Sequence, residues 1–398
     1  MLEDQKTENE FFDSPEYHLN KKFMTVVGGW PYLSPKKRKT IWFVVNTFVV
    51  TVWVSELIHI IVIIDRTKEV IYCLMAFLCT FLAICGSINA AVQPRSNKRL
   101  VDSLRDNWNN LRSDDERKIF ATYAHYGKIL SSVLAVCYYL VGMTYIVSPL
   151  IPSALHYRIT GDWIAPTRNV LEVEFFIDPV KYYWQLYVLL VHMCMGVVSL
   201  LLANDTFFFM VVLHCCGMFA VLRYKVEQMD KEITFNGYSY NQQLAVKRIE
   251  EIVMYHLECL EFANKIEDFF CIQFIVQILV NTIIISVCGS QIIQLADQSL
   301  RDSLLFAFLT SATIFRLTFF NVCGQGVYDH SLRVHDQLIH TTWYECPIKV
   351  RKLFIILYNR SAEPYNLTAA KMINLNFVTC TQLLKTAMSY FMMIIQTP

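Results

Sequence analysis

Residues 182–222 read YYWQLYVLLVHMCMGVVSLLLANDTFFFMVVLHCCGMFAVL, about 41 positions dominated by Leu, Val, Phe and Met. A helix crosses a bilayer with about 20 apolar residues, at about 1.5 Å of rise each. This run is twice that length, so the helix it predicts projects well beyond the membrane or bends. Working outward, Ile41–Ile64, Val70–Val92 and Ile129–Pro152 precede it as further apolar runs, and Phe269–Ile293 and Leu304–Val327 follow it. A seventh run, Met372–Thr397, is more polar but long enough. The fold class expected is an all-α integral membrane protein with seven transmembrane helices.

Composition agrees. The 398 residues are 55% hydrophobic and only 17% charged, with a mean hydropathy of +0.36, whereas soluble domains carry about 25% charged residues. A net charge of +1 gives no basic field for nucleic acid. Most of the 13 Cys fall inside the apolar runs, where they act as small hydrophobes rather than bridges. No signal peptide is expected, so the first span serves as the insertion signal.

Basic residues set the orientation. With the N-terminus inside, the inner segments 1–40, 93–128, 223–268 and 328–371, leaving out Lys371 at the start of the last span, hold 26 Lys and Arg, against 6 in the outer loops. Lys36-Lys37-Arg38-Lys39 stands directly before the first span. The N-terminus is then cytoplasmic and, after seven spans, the C-terminus extracellular. That is opposite to a G-protein-coupled receptor, and neither Asp-Arg-Tyr after the third span nor Asn-Pro-x-x-Tyr in the seventh is present. Segments 41–222 and 269–327 carry spans one to four and five to six. Between them, Ile249, Val253, Leu257 and Leu260 recur at helical spacing among charges, an amphipathic helix running into the fifth span.

No catalytic motif is found: G-x-S-x-G, H-E-x-x-H and the P-loop are all missing, and no cofactor or metal is expected. His330, His335 and His340 are spaced by five, which turns each about 140° from the last on a helix, so they do not share one ion. Within the membrane, Glu56 and His59 are one turn apart and positioned to pair, and Arg316 needs an acidic partner or a route to the interface.

Segment 372–398 is the most informative. On a helical wheel centred on Gln382, Lys385, Ser389, Met393, Gln396, Thr397, Thr379 and Thr386 share roughly 120° of arc. Phe377, Leu383, Leu384, Ala387 and Phe391 lie opposite. Lipid cannot satisfy such a stripe, so it faces protein or water. One polar helix does not enclose a channel, so a water-lined pore built on it demands an oligomer. Separately, the outer halves of spans two, three, four and six carry Tyr72, Met75, Tyr138, Tyr139, Tyr145, Tyr187 and Phe306, an uncharged wall suited to a small volatile molecule. Gly142 makes room in span three, flanked by Tyr139 and Ile146.

These features resemble the insect odorant receptors. The local match runs through Phe319-Phe320-Asn321-Val322-Cys323-Gly324, Trp343-Tyr344-Glu345-Cys346-Pro347, Arg351-Lys352, Leu375-Asn376-Phe377-Val378 and Ser389-Tyr390-Phe391. Over the rest of the chain the resemblance is one of topology and length. It implies the ligand-binding subunit of an odorant-gated, non-selective cation channel, a heterotetramer with an obligate odorant co-receptor. The inner connection between spans four and five is too short for the co-receptor itself. The gustatory receptors of the same superfamily end in Thr-Tyr-x-x-x-x-x-Gln-Phe, which this tail lacks. By the same resemblance, segment 328–371, with a short helix around Lys349–Asn359, belongs to a cytoplasmic anchor. Gln382, Lys385, Ser389, Met393, Gln396 and Thr397 line or gate the pore. Tyr72, Met75, Tyr139, Gly142, Ile146, Tyr187, Val191, Phe306 and Thr310 form the odorant site.

Overall fold

A computed structural model describes residues 11–396, apart from 165, 167, 168, 179, 237–241 and 298. Among these residues, seven helices are long and apolar enough to cross a membrane: Pro35–Val62, Thr67–Val92, Asp114–Val147, Tyr183–Asn236, Gln242–Ala296, Leu300–Ile339 and Phe377–Gln396. Local chemistry places their ends. Pro35 opens the first helix, its missing N–H costing nothing there. Ser113 caps the third by accepting from the Glu116 N–H at 3.1 Å, and Ser299 caps the sixth.

The fourth and fifth spans have 54 and 55 residues, each about 80 Å long at 1.5 Å per residue. They run past one face of any bilayer and form the spine of a domain on the side of the N-terminal segment, called inner after the orientation expected from the basic residues. There the amphipathic stretch is continuous with the fifth span, as its periodicity requires. Of the four expected residues, Ile249 and Leu260 are buried and Val253 packs half-buried on the core, while Leu257 is half exposed; Ala245, Ile252, Cys259 and Ala263 extend the buried face on the other flank. Ion pairs from Lys225 to Glu116 (2.5 Å) and from Arg112 to Glu251 (2.8 Å) tie the third span to the fourth and fifth. The N-terminal segment joins this core through Phe12, packed edge-on to Trp30 at 5.1 Å.

Where the fourth, fifth and sixth spans enter this domain, aromatic rings from all three interlock. Phe208 stacks on Phe320 at 4.7 Å and meets Phe274 edge-on at 5.0 Å. Helix Ile348–Ser361 covers the sixth span, with Phe354 stacked on Trp343 at 5.6 Å. The chain then returns through a minimal hairpin, β1 (Thr368–Ala369) against β2 (Ile373–Asn374). Its turn is made by Ala370 and Lys371, both left-handed at φ 52° and 57°. This hairpin crosses the sixth span so closely that a Cβ on Gly324 would lie 2.2 Å from the Leu375 carbonyl oxygen, which explains the glycine in that motif. The apolar run from Met372 therefore starts in the hairpin, and the last helix begins at Phe377, capped by the Asn376 side chain on the Thr379 N–H at 2.8 Å.

The outer half is looser. Beyond the third span a helix, Ile151–Thr160, ends at Gly161 in the left-handed region (φ 80°). The following loop folds back over the bundle, burying Val170 and Leu171, and the Glu174 N–H donates to the Ser55 carbonyl at 3.3 Å.

Candidate functional site

Under that loop lies a cavity of about 310 Å³, within the range of small-molecule sites. The second span contributes Ala76, Cys79 and Thr80; the third Leu134, Tyr138, Val141, Gly142 and Tyr145; the fourth Cys194, Val197, Val198 and Leu201. Asn281 and Ile284 come from the fifth span, Leu309, Ala312 and Arg316 from the sixth, and Leu171 closes the outer end. Gly142 sits where a Cβ would meet Val198 at 3.1 Å, so the third and fourth spans meet closely there. Leu140, Phe308 and Phe315 also border the cavity, and each is exposed on the flank of the bundle, so this side opens between the third and sixth spans.

The deep end of the cavity is polar. Arg316 grips the fully buried Asp205 with two N–H groups, Nε to Oδ2 at 2.6 Å and Nη2 to Oδ1 at 2.9 Å. Tyr138 donates its hydroxyl to Asp205, and Arg316 Nη1 reaches Asn281 Oδ1 at 3.5 Å. The ion pair is close to neutral overall and joins spans three, four, five and six. A charge in this environment is tolerated only when paired and hydrogen-bonded in this way.

The seventh span packs by one face only. Ala387 and Cys380 are buried, Ser286 of the fifth span donates to the Ala387 carbonyl at 3.0 Å, and Phe391 fills the space over Gly289. Gln382, Lys385, Ser389, Met393 and Gln396 all lie on the exposed side. Thr397 lies outside the described residues. Fifth- and sixth-span neighbours divide between the two sites: Ile284 and Arg316 line the cavity, while the next residues, Ile285 and Leu317, pack against Ala387.

The model of the 7tm odorant receptor family matches residues 66–388. This chain belongs to that family. Among relatives of the receptor is odorant receptor 13a of Drosophila melanogaster, 22% identical over 208 residues, 49% of each chain. Another is the putative odorant receptor 85d of the same species, 22% identical over 144 residues, which are 36% of this chain and 34% of that one. The receptor thus matches about half the length of the first curated relative and a third of the second. Its fold is similar to the insect olfactory receptor OR5 from Machilis hrabei, with a TM-score of 0.74, 10% identity and coverage of 99% of this chain and 100% of that one. It is also similar to the structure of OR5 in complex with eugenol (TM-score 0.76, 11% identity, the same coverage). The receptor is a multi-pass membrane protein of a family of odorant receptors, not of enzymes.

The residues expected at the odorant site are distributed as follows. Gly142 lines the main cavity, and Tyr72 lines a smaller one above it, beside Tyr145, Asn169 and Arg301. Met75 and Phe306 pack behind the wall in a cluster with Leu309, and Thr310 turns its hydroxyl to the Phe306 carbonyl. Tyr187 donates to the Ile146 carbonyl at 2.8 Å, with Val191 and Tyr139 in the same apolar cluster. The third span thus presents Leu134, Tyr138, Val141 and Tyr145 to the cavity rather than the Tyr139–Ile146 face. Glu56 and His59 do not pair: Thr80 reaches Glu56 at 3.5 Å, and His59 lies 3.9 Å from Glu174 of the outer loop. Asp205, within the fourth run, had no local signal marking it as the partner of Arg316. His330 bonds Tyr123 at 2.8 Å and His335 bonds Ser361 at 3.0 Å, well apart in function as in spacing. All 13 Cys are free thiols; at Cys346, in the inner loop, burial pushes the thiol up to about 11, which keeps it protonated and unreactive at neutral pH.

Proposed function

We propose that this receptor is the ligand-binding subunit of an odorant-gated, non-selective cation channel. It assembles as a heterotetramer with the obligate co-receptor in the plasma membrane of olfactory sensory dendrites, N-terminus cytoplasmic and C-terminus extracellular. The observation that carries the channel reading is the seventh span: one face docked on spans five and six, the polar face of Gln382, Lys385, Ser389 and Gln396 bare. A bilayer does not solvate that face, so a neighbouring subunit or a water column must. The 26-to-6 distribution of basic residues supports the orientation.

Coupling follows from the division of labour on spans five and six. An odorant in the cavity shifts Ile284 and Arg316, and Ile285 and Leu317 carry that shift to Ala387 of the pore helix. Currents from excised patches, in nucleotide-free solution, test the reading. Cells expressing this chain with the co-receptor give odorant-evoked cation current; cells lacking either subunit give none. Lys385→Gln raises cation conductance, because it removes a positive charge from the pore wall, and unchanged permeation would remove the seventh span from the pore.

A further inference from the structure

The hydrogen-bond inventory of the cavity is unbalanced. The hydroxyls of Thr80, Ser311 and Thr313 bond carbonyls of their own helices, Thr80 also reaches Glu56 Oε1 at 3.5 Å, Tyr138 bonds Asp205, and Tyr145 carries a further hydroxyl at the outer end, where the smaller cavity begins. Both carboxylate oxygens of Asp205 are taken by Arg316, one of them by Tyr138 as well. Asn281 Oδ1 faces the guanidinium; turning the amide around would set N–H against N–H, so Nδ2 points away from Arg316. That Nδ2 has no protein partner among the described residues, although Asn281 is 1% exposed and lines the cavity. A buried donor left unpaired costs stability in the empty receptor and rewards whatever accepts from it. Among the described side chains that line the deep end, the Asn281 amide holds the unpartnered donor, beside a charge pair that already cancels.

We propose that Asn281 forms, next to Arg316, a hydrogen-bond subsite for the carbonyl oxygen of a neutral odorant, a ketone, aldehyde or ester whose carbon chain fills the apolar remainder. A carboxylate would add an uncompensated charge to a neutral site, an amine would meet the Arg316 cation, and a hydrocarbon would leave Nδ2 unpaired. This rests on the reading of the cavity as the odorant site, and the test separates the two.

Dose-response currents are recorded from the receptor co-expressed with its co-receptor, using heptanone, heptanal and butyl acetate against heptane, heptylamine and heptanoic acid. The wild type responds to the carbonyl compounds at about tenfold lower concentration than to the hydrocarbon, the factor that one such bond supplies. Asn281→Leu abolishes that ratio, raising the half-maximal concentration for the carbonyl compounds about tenfold and leaving heptane unchanged or more potent. A ratio near one in the wild type, or an equal shift for all compounds in the variant, overturns the subsite; the amide then bonds water. Ala312→Phe, which fills the cavity from the sixth span, abolishes every response while surface biotinylation shows normal delivery. Responses that survive Ala312→Phe place the odorant elsewhere and overturn both readings, as does silence of the wild type to the whole panel.

Discussion

The inner and outer halves of the bundle use the same four central helices to opposite ends. Inside, Phe208, Phe274 and Phe320 interlock with ring centroids 4.7–6.2 Å apart, and nearly every facing side chain is fully buried. Outside, the same helices separate around 310 Å³ of space walled by Cys, Val, Leu and Tyr. Dense packing resists deformation, whereas a wall with no atoms on one side has fewer contacts to lose when it moves. On the proposed reading of the cavity, an odorant finds compliance in the outer half and transmits through helices held in register by the inner one.

The largest effect expected belongs to the inner half. Phe208→Ala costs about 3–5 kcal/mol, as large aromatic truncations in well-packed cores do, and is read as a fall in melting temperature of the purified complex. A loss below 1 kcal/mol would mean that the inner half is as pliant as the outer and would dissolve the contrast. Next comes the boundary between the halves. Asp205→Asn strands the Arg316 cation, at a cost of about 3 kcal/mol, whereas Asp205→Asn with Arg316→Gln recovers most of that loss in the same melting assay. The smallest effect is at the cavity wall. Ile284→Val costs about 0.5 kcal/mol, the low end for this substitution because one side of the residue already lacks contacts. It nevertheless shifts odorant dose-response curves, which Phe208→Ala leaves in place in whatever fraction folds.

Much of this architecture is legible in the chain. Seven apolar runs, the doubled length of the fourth, the amphipathic entry to the fifth and the polar stripe of the seventh are all periodic or compositional signals, and each corresponds to a helix of the expected kind. The cavity-facing side of the third span was not legible in the same way. Tyr138, Tyr139, Val141, Gly142 and Tyr145 sit on a helix that is apolar nearly all round, so no moment sets its rotation; the bond from Tyr138 to Asp205, across 67 positions, does so. The Asp205–Arg316 pair is likewise a contact across 111 positions with no local signature. The hairpin at Thr368–Asn374 escapes notice because its turn uses Ala370 and Lys371, residues that do not favour the left-handed region.

One feature of the cavity bears on how potency is to be understood. Its side between the third and sixth spans is bordered by Leu140, Phe308 and Phe315, which are exposed on the flank that lipid covers. If odorants bind in the cavity as proposed, such a mouth lets the site equilibrate with the bilayer as its reservoir, where an oily volatile is concentrated far above its level in the surrounding fluid. Rank order among homologous odorants then follows their partition between oil and water as well as their fit, so lengthening an alkyl chain sharpens detection until the cavity is full and blunts it beyond that point.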